Sequence, residues 1–336
     1  MKSLFVASTP YQCLTAATIS LSNGGNDDII ILKLFSIDDE LIDNLRRIFK
    51  NVYVSCDFND NGKKSFLQQL RFVISLKKLI RKCKNKDYQS IFTSNDNLVF
   101  NQCIVNKLKT QEMEYIHFED GSFEYKNSDG TGFSALKWFL LKVKWTTLLM
   151  THIRNYDCID KSIEKVYLTF PTYRRKCLLE LQPYQISRSQ FIESIKLLYQ
   201  PQKINQKIIF CLDHSECGKD IIESSINMCE FLLSICNDVA IKYHPRERYK
   251  YIKNEKVFNI DPALPFEAVA LGFNGIIISN NSSILHTIKF MNPDSVIICT
   301  ALMLNQQEDD YIKFLQKIGV LFPGSLSEFK EMITFC

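Results

Sequence analysis

The sequence predicts an α/β protein built from two open, parallel-sheet domains. Three observations carry this. Short apolar runs alternate with segments of helical spacing from residue 2 to about residue 118. The alternation stops between about 155 and 203, where Pro171, Pro183 and Pro201 punctuate mixed polar and apolar stretches. It then restarts at 207 and continues to the C-terminus.

Residues 2–7 read as a buried strand. Ser8-Thr9-Pro10 then opens a helix to about Ser22, with proline at its preferred first helical position. Strands follow at 28–34, 51–55, 90–93 and 113–118, with helices at 38–50, 63–84 and 98–108 between them. The 63–84 helix places Phe66, Leu67, Leu70, Val73, Ile74, Leu76 and Leu79 at apolar helical spacing. In the second half, strands are predicted at 207–212, 239–243, 275–279 and 295–300. Helices are predicted at 218–235, 265–271, 282–290, 307–318 and 325–334. The expected domains are therefore 1–155 and 206–336, joined by a connecting segment at 156–205, with the last helix packing back on the first domain. Two such domains place their ligands beyond the C-terminal ends of the strands.

The 336 residues suffice for two ordinary domains, and 46% hydrophobic with 23% charged is a globular composition. A net charge of +4 is too mild to argue for nucleic acid, and no nucleic-acid motif is present. The positive charge is concentrated at 62–86 and 137–154. An amphipathic helix with a solvated basic face explains the first of these; contact with anionic lipid is the other reading. The 12 cysteines are scattered without CxxC or zinc-like spacing, which points to a reducing cytoplasm rather than a disulfide scaffold. The N-terminal apolar stretch is too short for a secretion signal, and no run approaches the ~20 apolar residues of a membrane helix.

Polar clusters end three of the predicted strands. In Glu119-Asp120-Gly121-Ser122 a carboxylate at a strand end points into the crevice of an open sheet, where it can take a proton from a hydroxyl. Taken alone this is also an ordinary acidic turn. In Lys242-Tyr243-His244-Pro245-Arg246 a histidine flanked by cations follows an apolar strand, suited to a departing phosphate. A surface turn explains it equally well. In Asn280-Asn281-Ser282-Ser283 hydroxyls meet a helix start, a phosphate cradle or a plain N-cap. Glu267 lies between the last two clusters, where a carboxylate can meet a ribose or base or simply face solvent.

In this order and spacing the clusters resemble the Asp/Glu-Asp/Glu-Gly, His-Pro and serine motifs of bacterial sialyltransferases. The nearest resemblance is to glycosyltransferase family 52, whose members act on lipooligosaccharide, capsule and O-antigen. Thr9-Pro10-Tyr11-Gln12 after the first strand is also similar to that family. The likeness spans about residues 3–300; segment 155–203 carries no matching motif. The resemblance implies a GT-B fold, two Rossmann-like domains facing an interdomain cleft. It implies CMP-N-acetylneuraminic acid as donor, a galactose-terminated glycan as acceptor, inversion at the anomeric carbon with α-2,3 linkage, and no metal or other cofactor. By position, Asp120 is the general base and His244 assists departure of CMP. Lys242, Pro245, Arg246, Glu267, Asn281, Ser282 and Ser283 fall on the donor side. The family often has two aspartates where this chain has Glu119-Asp120, which leaves Glu119 open as well.

Thr9, Asn95 and His214 follow other strands and are placed to touch the sugars. His117 and His286 read as structural. Asp38-Asp39 and Asp309-Asp310 read as helix-end carboxylates rather than metal ligands. Alternatives stay open: a GT-B transferase of another sugar, such as glucose or Kdo, or a non-catalytic glycan- or nucleotide-binding protein of polysaccharide assembly.

Overall fold

The structure, a computed structural model, describes residues 2–35, 37–58, 65–127, 135–154, 159–214, 219–245, 247, 250–262, 264–280, 282–304 and 308–334. The chain divides into two compact units. The first comprises residues 1–120 and 127–198, the second 121–126 and 199–336.

The first unit begins with β1 (Ser3–Ala7) and α1 (Pro10–Ser22). There follow β2 (Asp28–Ile31), α2 (Asp39–Leu45), β3 (Asn51–Val54), α3 (Phe66–Cys83), β4 (Ser90–Thr93), α4 (Val99–Leu108) and β5 (Glu114–Phe118). After α5 (Ala135–Leu149) come β6 (Lys165–Leu168), β7 (Gln182–Gln185) and α6 (Arg188–Leu198). All seven strands are parallel, in the order β3-β2-β1-β4-β5-β6-β7. Side chains alternate across the sheet. Leu4 and Val6 join the core with Phe72, Leu76, Ile104 and Trp145 of α3, α4 and α5. Phe5 faces the other way, stacked on Phe92 at 4.4 Å and edge-on to Phe118 at 6.3 Å.

The expected connecting segment 156–205 is corrected by β6, β7 and α6, which complete this unit. Proline obscured them. Pro183 lies in β7, the edge strand, where a missing N–H leaves no ladder bond unmade. Behind it α6 packs on α1, with Phe191 and Ile195 fully buried and the Thr18 hydroxyl donating to the Ser194 hydroxyl at 3.2 Å.

The second unit contains β8 (Ile208–Cys211), α7 (Lys219–Ile235), β9 (Val239–Lys242), β10 (Phe258–Ile260), α8 (Phe266–Ala270), β11 (Ile276–Ser279), α9 (Ile284–Met291), β12 (Val296–Cys299), α10 (Asp310–Lys317) and α11 (Leu326–Thr334). Its strands are also all parallel, in the order β10-β9-β8-β11-β12. Phe329 and Ile333 of α11 sit in the core with Phe210, Leu232 and Ile241. The last helix therefore closes its own unit, not the first one as expected. β10, three residues long with Phe258 exposed, had no apolar run to announce it.

Helix starts follow local chemistry. Asp38 and Asp309 cap α2 and α10 by accepting from the N–H of Leu41 and Ile312, as helix-end carboxylates. Ser65 and Gln68 form a reciprocal capping box on α3. Among the described residues eight cysteines are free thiols and Cys177 is disulfide-bonded. Among the described residues, no helix is long and apolar enough to cross a membrane.

At the N-terminal edge of the first sheet, Asp28 is wholly buried. It accepts from the Tyr88 hydroxyl at 2.7 Å, Asn51 Nδ2 at 2.8 Å, Lys86 Nζ at 2.9 Å and faces Lys2 Nζ at 3.2 Å. Burial alone would raise its carboxyl; these donors outweigh burial and hold it below the ordinary value. A depressed carboxyl stabilises the fold above its unfolded-state pKa, about 3.9, and that stability is lost as pH falls through the folded value. Asp28→Ala is expected to cost about 3 kcal/mol at neutral pH. In urea unfolding, the gap to the wild type should close as pH drops below about 4.

Candidate functional site

Both sheets carry the strand order 3-2-1-4-5 within their first five strands, so each has a point where the order reverses. It lies between β1 and β4 in the first unit and between β8 and β11 in the second. Crevices at the C-terminal ends of strands beside such points are the usual ligand sites of open α/β sheets.

In the first unit, β5 runs straight into Glu119-Asp120. Glu119 is fully buried. The Tyr11 hydroxyl donates to its Oε1 at 2.6 Å, and the Thr169 N–H donates to its Oε2 at 2.6 Å. The Thr169 hydroxyl reaches the two oxygens at 3.1 and 2.8 Å. Asp120 is only partly buried, and Gln12 Nε2 donates to its Oδ1 at 2.6 Å. Gln12 cannot be turned round, because its Oε1 accepts the Ser8 N–H at 2.6 Å and faces the Ser8 hydroxyl at 3.0 Å. Thr9 caps α1 by accepting the Gln12 N–H at 3.2 Å. Each residue of Thr9-Pro10-Tyr11-Gln12 thus has a local task. Thr9 and Pro10 start the helix, Tyr11 holds Glu119 and Gln12 orients Asp120. Glu119 is held as a brace, while Asp120 is the carboxylate with access to solvent.

His117, in β5, is buried, and that burial pushes its imidazole down to about 4, so it is neutral at physiological pH. Asn95 is exposed after β4, and its side chain accepts the Leu98 N–H at 3.0 Å. That makes it part of the turn into α4.

The chain leaves the first unit after Asp120 and returns at Asn127. Gly121 has φ +115° and ψ −132°, a conformation that essentially only glycine adopts. A Cβ built there would lie 3.5 Å from Ser283 Cβ, an ordinary contact, so the backbone angle is what requires glycine. Tyr125 stacks on Phe314 at 4.4 Å and meets the His286 ring edge-on at 5.2 Å. His286 is fully buried, and its Nδ1 lies 2.8 Å from the Tyr311 hydroxyl. That hydroxyl donates to the Ser282 carbonyl at 2.9 Å, so Nδ1 of His286 is the donor to Tyr311.

In the second unit, Asp213 follows β8 and Asn280 follows β11. Asn280 Nδ2 donates to Asp213 Oδ2 at 2.9 Å, a link spanning the reversal point. Burial raises the Asp213 carboxyl and Asn280 lowers it in part. Sequence reasoning singled out His214 and passed over Asp213. The signal available was its place at a strand end beside that histidine. The rings of His214 and His244 meet edge to face at 5.3 Å, so these strand ends bring two partly buried histidines together. Pro245 is exposed.

Lys242, the last residue of β9, is only 3% exposed. Its ammonium donates to the carbonyls of Pro262 at 2.9 Å and Tyr243 at 3.3 Å. Burial pushes it down to about 8, with Cys211, Asp261 and Glu267 opposing. It braces the loop ahead of α8 instead of presenting a free cation. Glu267, in the first turn of α8, is partly buried, and desolvation raises its carboxyl while Lys242 and His286 lower it. Ser282 and Ser283 are partly buried at the start of α9, where Ser283 is the N-cap residue without a side-chain capping bond. Arg246 and Asn281 lie outside the described residues.

No protein-family model matches the sequence, and a search of curated proteins finds no match. Solved structures do match over nearly the whole chain. The glycotransferase of kitacinnamycin is 8% identical, with a TM-score of 0.53 covering 99% of this chain and 90% of that one. The glycosyltransferase SnogD from Streptomyces nogalater is 10% identical, with a TM-score of 0.52 covering 100% and 93%. UDP-GlcNAc 2-epimerase from Methanocaldococcus jannaschii is 12% identical, with a TM-score of 0.51 covering 100% and 91%. At these identities the likeness establishes the fold, which is GT-B.

The two neighbouring carboxylates should separate on substitution. Glu119→Gln turns an amide N–H toward donors that need an acceptor, and should cost about 2 kcal/mol in thermal or urea unfolding. Asp120→Asn keeps an acceptor for Gln12 and should stay within about 0.5 kcal/mol of the wild type. Equal losses would contradict the division into an enclosed brace and a partly buried carboxylate.

Proposed function

We propose that this chain is an inverting, metal-independent glycosyltransferase that moves N-acetylneuraminic acid from CMP-N-acetylneuraminic acid to a galactose-terminated bacterial glycan. The acceptor would be an O-antigen, lipooligosaccharide or capsule unit, and the linkage α-2,3. The observation that carries the reading is the position of the motif residues. Asp120 follows β5, His244 follows β9 and Ser282-Ser283 follow β11, all beyond C-terminal ends of parallel strands. The GT-B fold is compatible with it but is shared with an epimerase, so fold alone does not choose the reaction.

In this proposal Asp120, oriented by Gln12, takes the proton of the acceptor hydroxyl as that oxygen bonds to the anomeric carbon. The bond from that carbon to the CMP phosphate breaks, and the electron pair leaves with the phosphate. His244 donates to the departing phosphate, and Ser282 and Ser283 hold it at the start of α9. Glu267 meets the nucleoside, and Lys242 supports the loop that carries it. The enzyme would work in the cytoplasm, beside the inner face of the plasma membrane.

The test is incubation with CMP-N-acetylneuraminic acid, a galactosyl acceptor and EDTA, with linkage read from the product. Sialylated product is expected. Asp120→Ala should lower kcat by roughly 10²–10⁴-fold, and His244→Ala by a similar order. Full activity in both variants would sink the mechanism. CMP should also raise the melting temperature more than UDP does. The reverse order would favour a transferase of another sugar. CMP binding without turnover would favour a binding protein.

A further inference from the structure

The outward face of α3 carries more than the solvated basic face that its composition suggests. Phe72, Val73, Leu76 and Leu79 point into the core of the first unit. Phe66, Leu67, Leu70 and Ile74 point away from it, with Phe66 63%, Leu67 67% and Ile74 48% exposed. At 100° per residue these four lie on the same side as Arg71, Lys77, Lys78, Arg81 and Lys82. The exposed face is therefore apolar in its first half and cationic in its second. The periodicity that announced the helix mixed these outward residues with the buried set.

The neighbouring helix repeats the pattern. α5 packs against α3 and is anchored by Trp145 and Leu149. Its Phe139 and Leu140 are 59% and 60% exposed, Val143 is exposed too, and Lys144 stands beside them. Neither helix contains an acidic residue. Exposed large apolar side chains set among cations, with no anion, match the chemistry of one surface, the headgroup boundary of an anionic bilayer. A second copy of the chain fits less well. Symmetric pairing through α3 or α5 would bury cations against cations or apolar groups with no carboxylate from either helix to neutralise them.

We propose that the exposed faces of α3 and α5 form a membrane-docking surface selective for anionic phospholipid. Phe66, Leu67, Leu70 and Ile74 enter the acyl boundary, and Lys77, Lys78, Arg81 and Lys82 face the headgroups. This does not depend on the reaction proposed above. The test therefore uses vesicles that carry no sugar donor or acceptor, so its failure would not touch the activity assay.

The experiment is flotation of the full chain with phosphatidylcholine vesicles, alone or with about one third phosphatidylglycerol. The wild type should float with the anionic vesicles, less so at high salt, and remain behind with phosphatidylcholine. Leu67→Ser with Ile74→Ser, both at exposed positions, should reduce binding more than about tenfold at any salt. Lys77→Glu with Lys78→Glu should reduce it by a similar factor at low salt and remove the salt dependence. Melting temperatures close to the wild type's would confirm that both variants are folded. Equal binding to the two vesicle types, or wild-type binding by both variants, would overturn the proposal. So would a dimer that the Leu67→Ser, Ile74→Ser pair converts to monomer, which would assign the face to a second copy.

Discussion

The C-terminal ends of the strands in the first unit are organised around one buried carboxylate. Removing the Glu119 charge from water costs several kcal/mol unless hydrogen bonds replace the solvent. Tyr11 from α1 and both donors of Thr169 after β6 supply them. The same bonds tie the starts of two connections to the end of β5. They leave Asp120, the next residue, to be aimed by Gln12 one position after Tyr11. Adjacent carboxylates in one motif thus acquire opposite environments, one enclosed and saturated, the other partly open. In the proposed reaction the proton acceptor needs the second environment and depends on the first for its position.

The second unit uses the same topology with different chemistry. Asp213 and Asn280, 67 positions apart in the sequence, meet because β8 and β11 are neighbours at the point where strand order reverses. His214 and His244 meet for a similar reason, since β8 and β9 are neighbours. The segment from Gly121 to Lys126 belongs to this unit although it follows the acidic motif directly. Its Tyr125 is enclosed by His286 and Phe314, and Gly121 makes the turn that a side-chain-bearing residue would strain.

Much of the sheet framework was legible because buried parallel strands are short apolar runs and helices carry caps. Thr9-Pro10, Asp38, Ser65 and Asp309 announce helix starts by groups that act within a few residues. The illegible parts depended on partners distant in sequence. Pro183 looked like a break until β6 made its strand an edge. Lys242 looked like a cation open to the nucleotide until its burial placed carbonyls around it. Leu67 and Ile74 looked like core, because a periodicity tells that a helix has faces and not which neighbour each face meets.

The sequence by itself determined the class of fold, the order of most elements and the position of the polar clusters at strand ends. Those follow from local preferences and from the apolar pattern along the chain. Tertiary structure alone decided that Glu119 is a brace and Asp120 the open carboxylate, that residues 165–198 belong to the first unit, and that α3 carries apolar side chains outward. Each of these is a question of burial and of the partner that replaces water. Neither quantity exists until segments far apart in the chain are packed together.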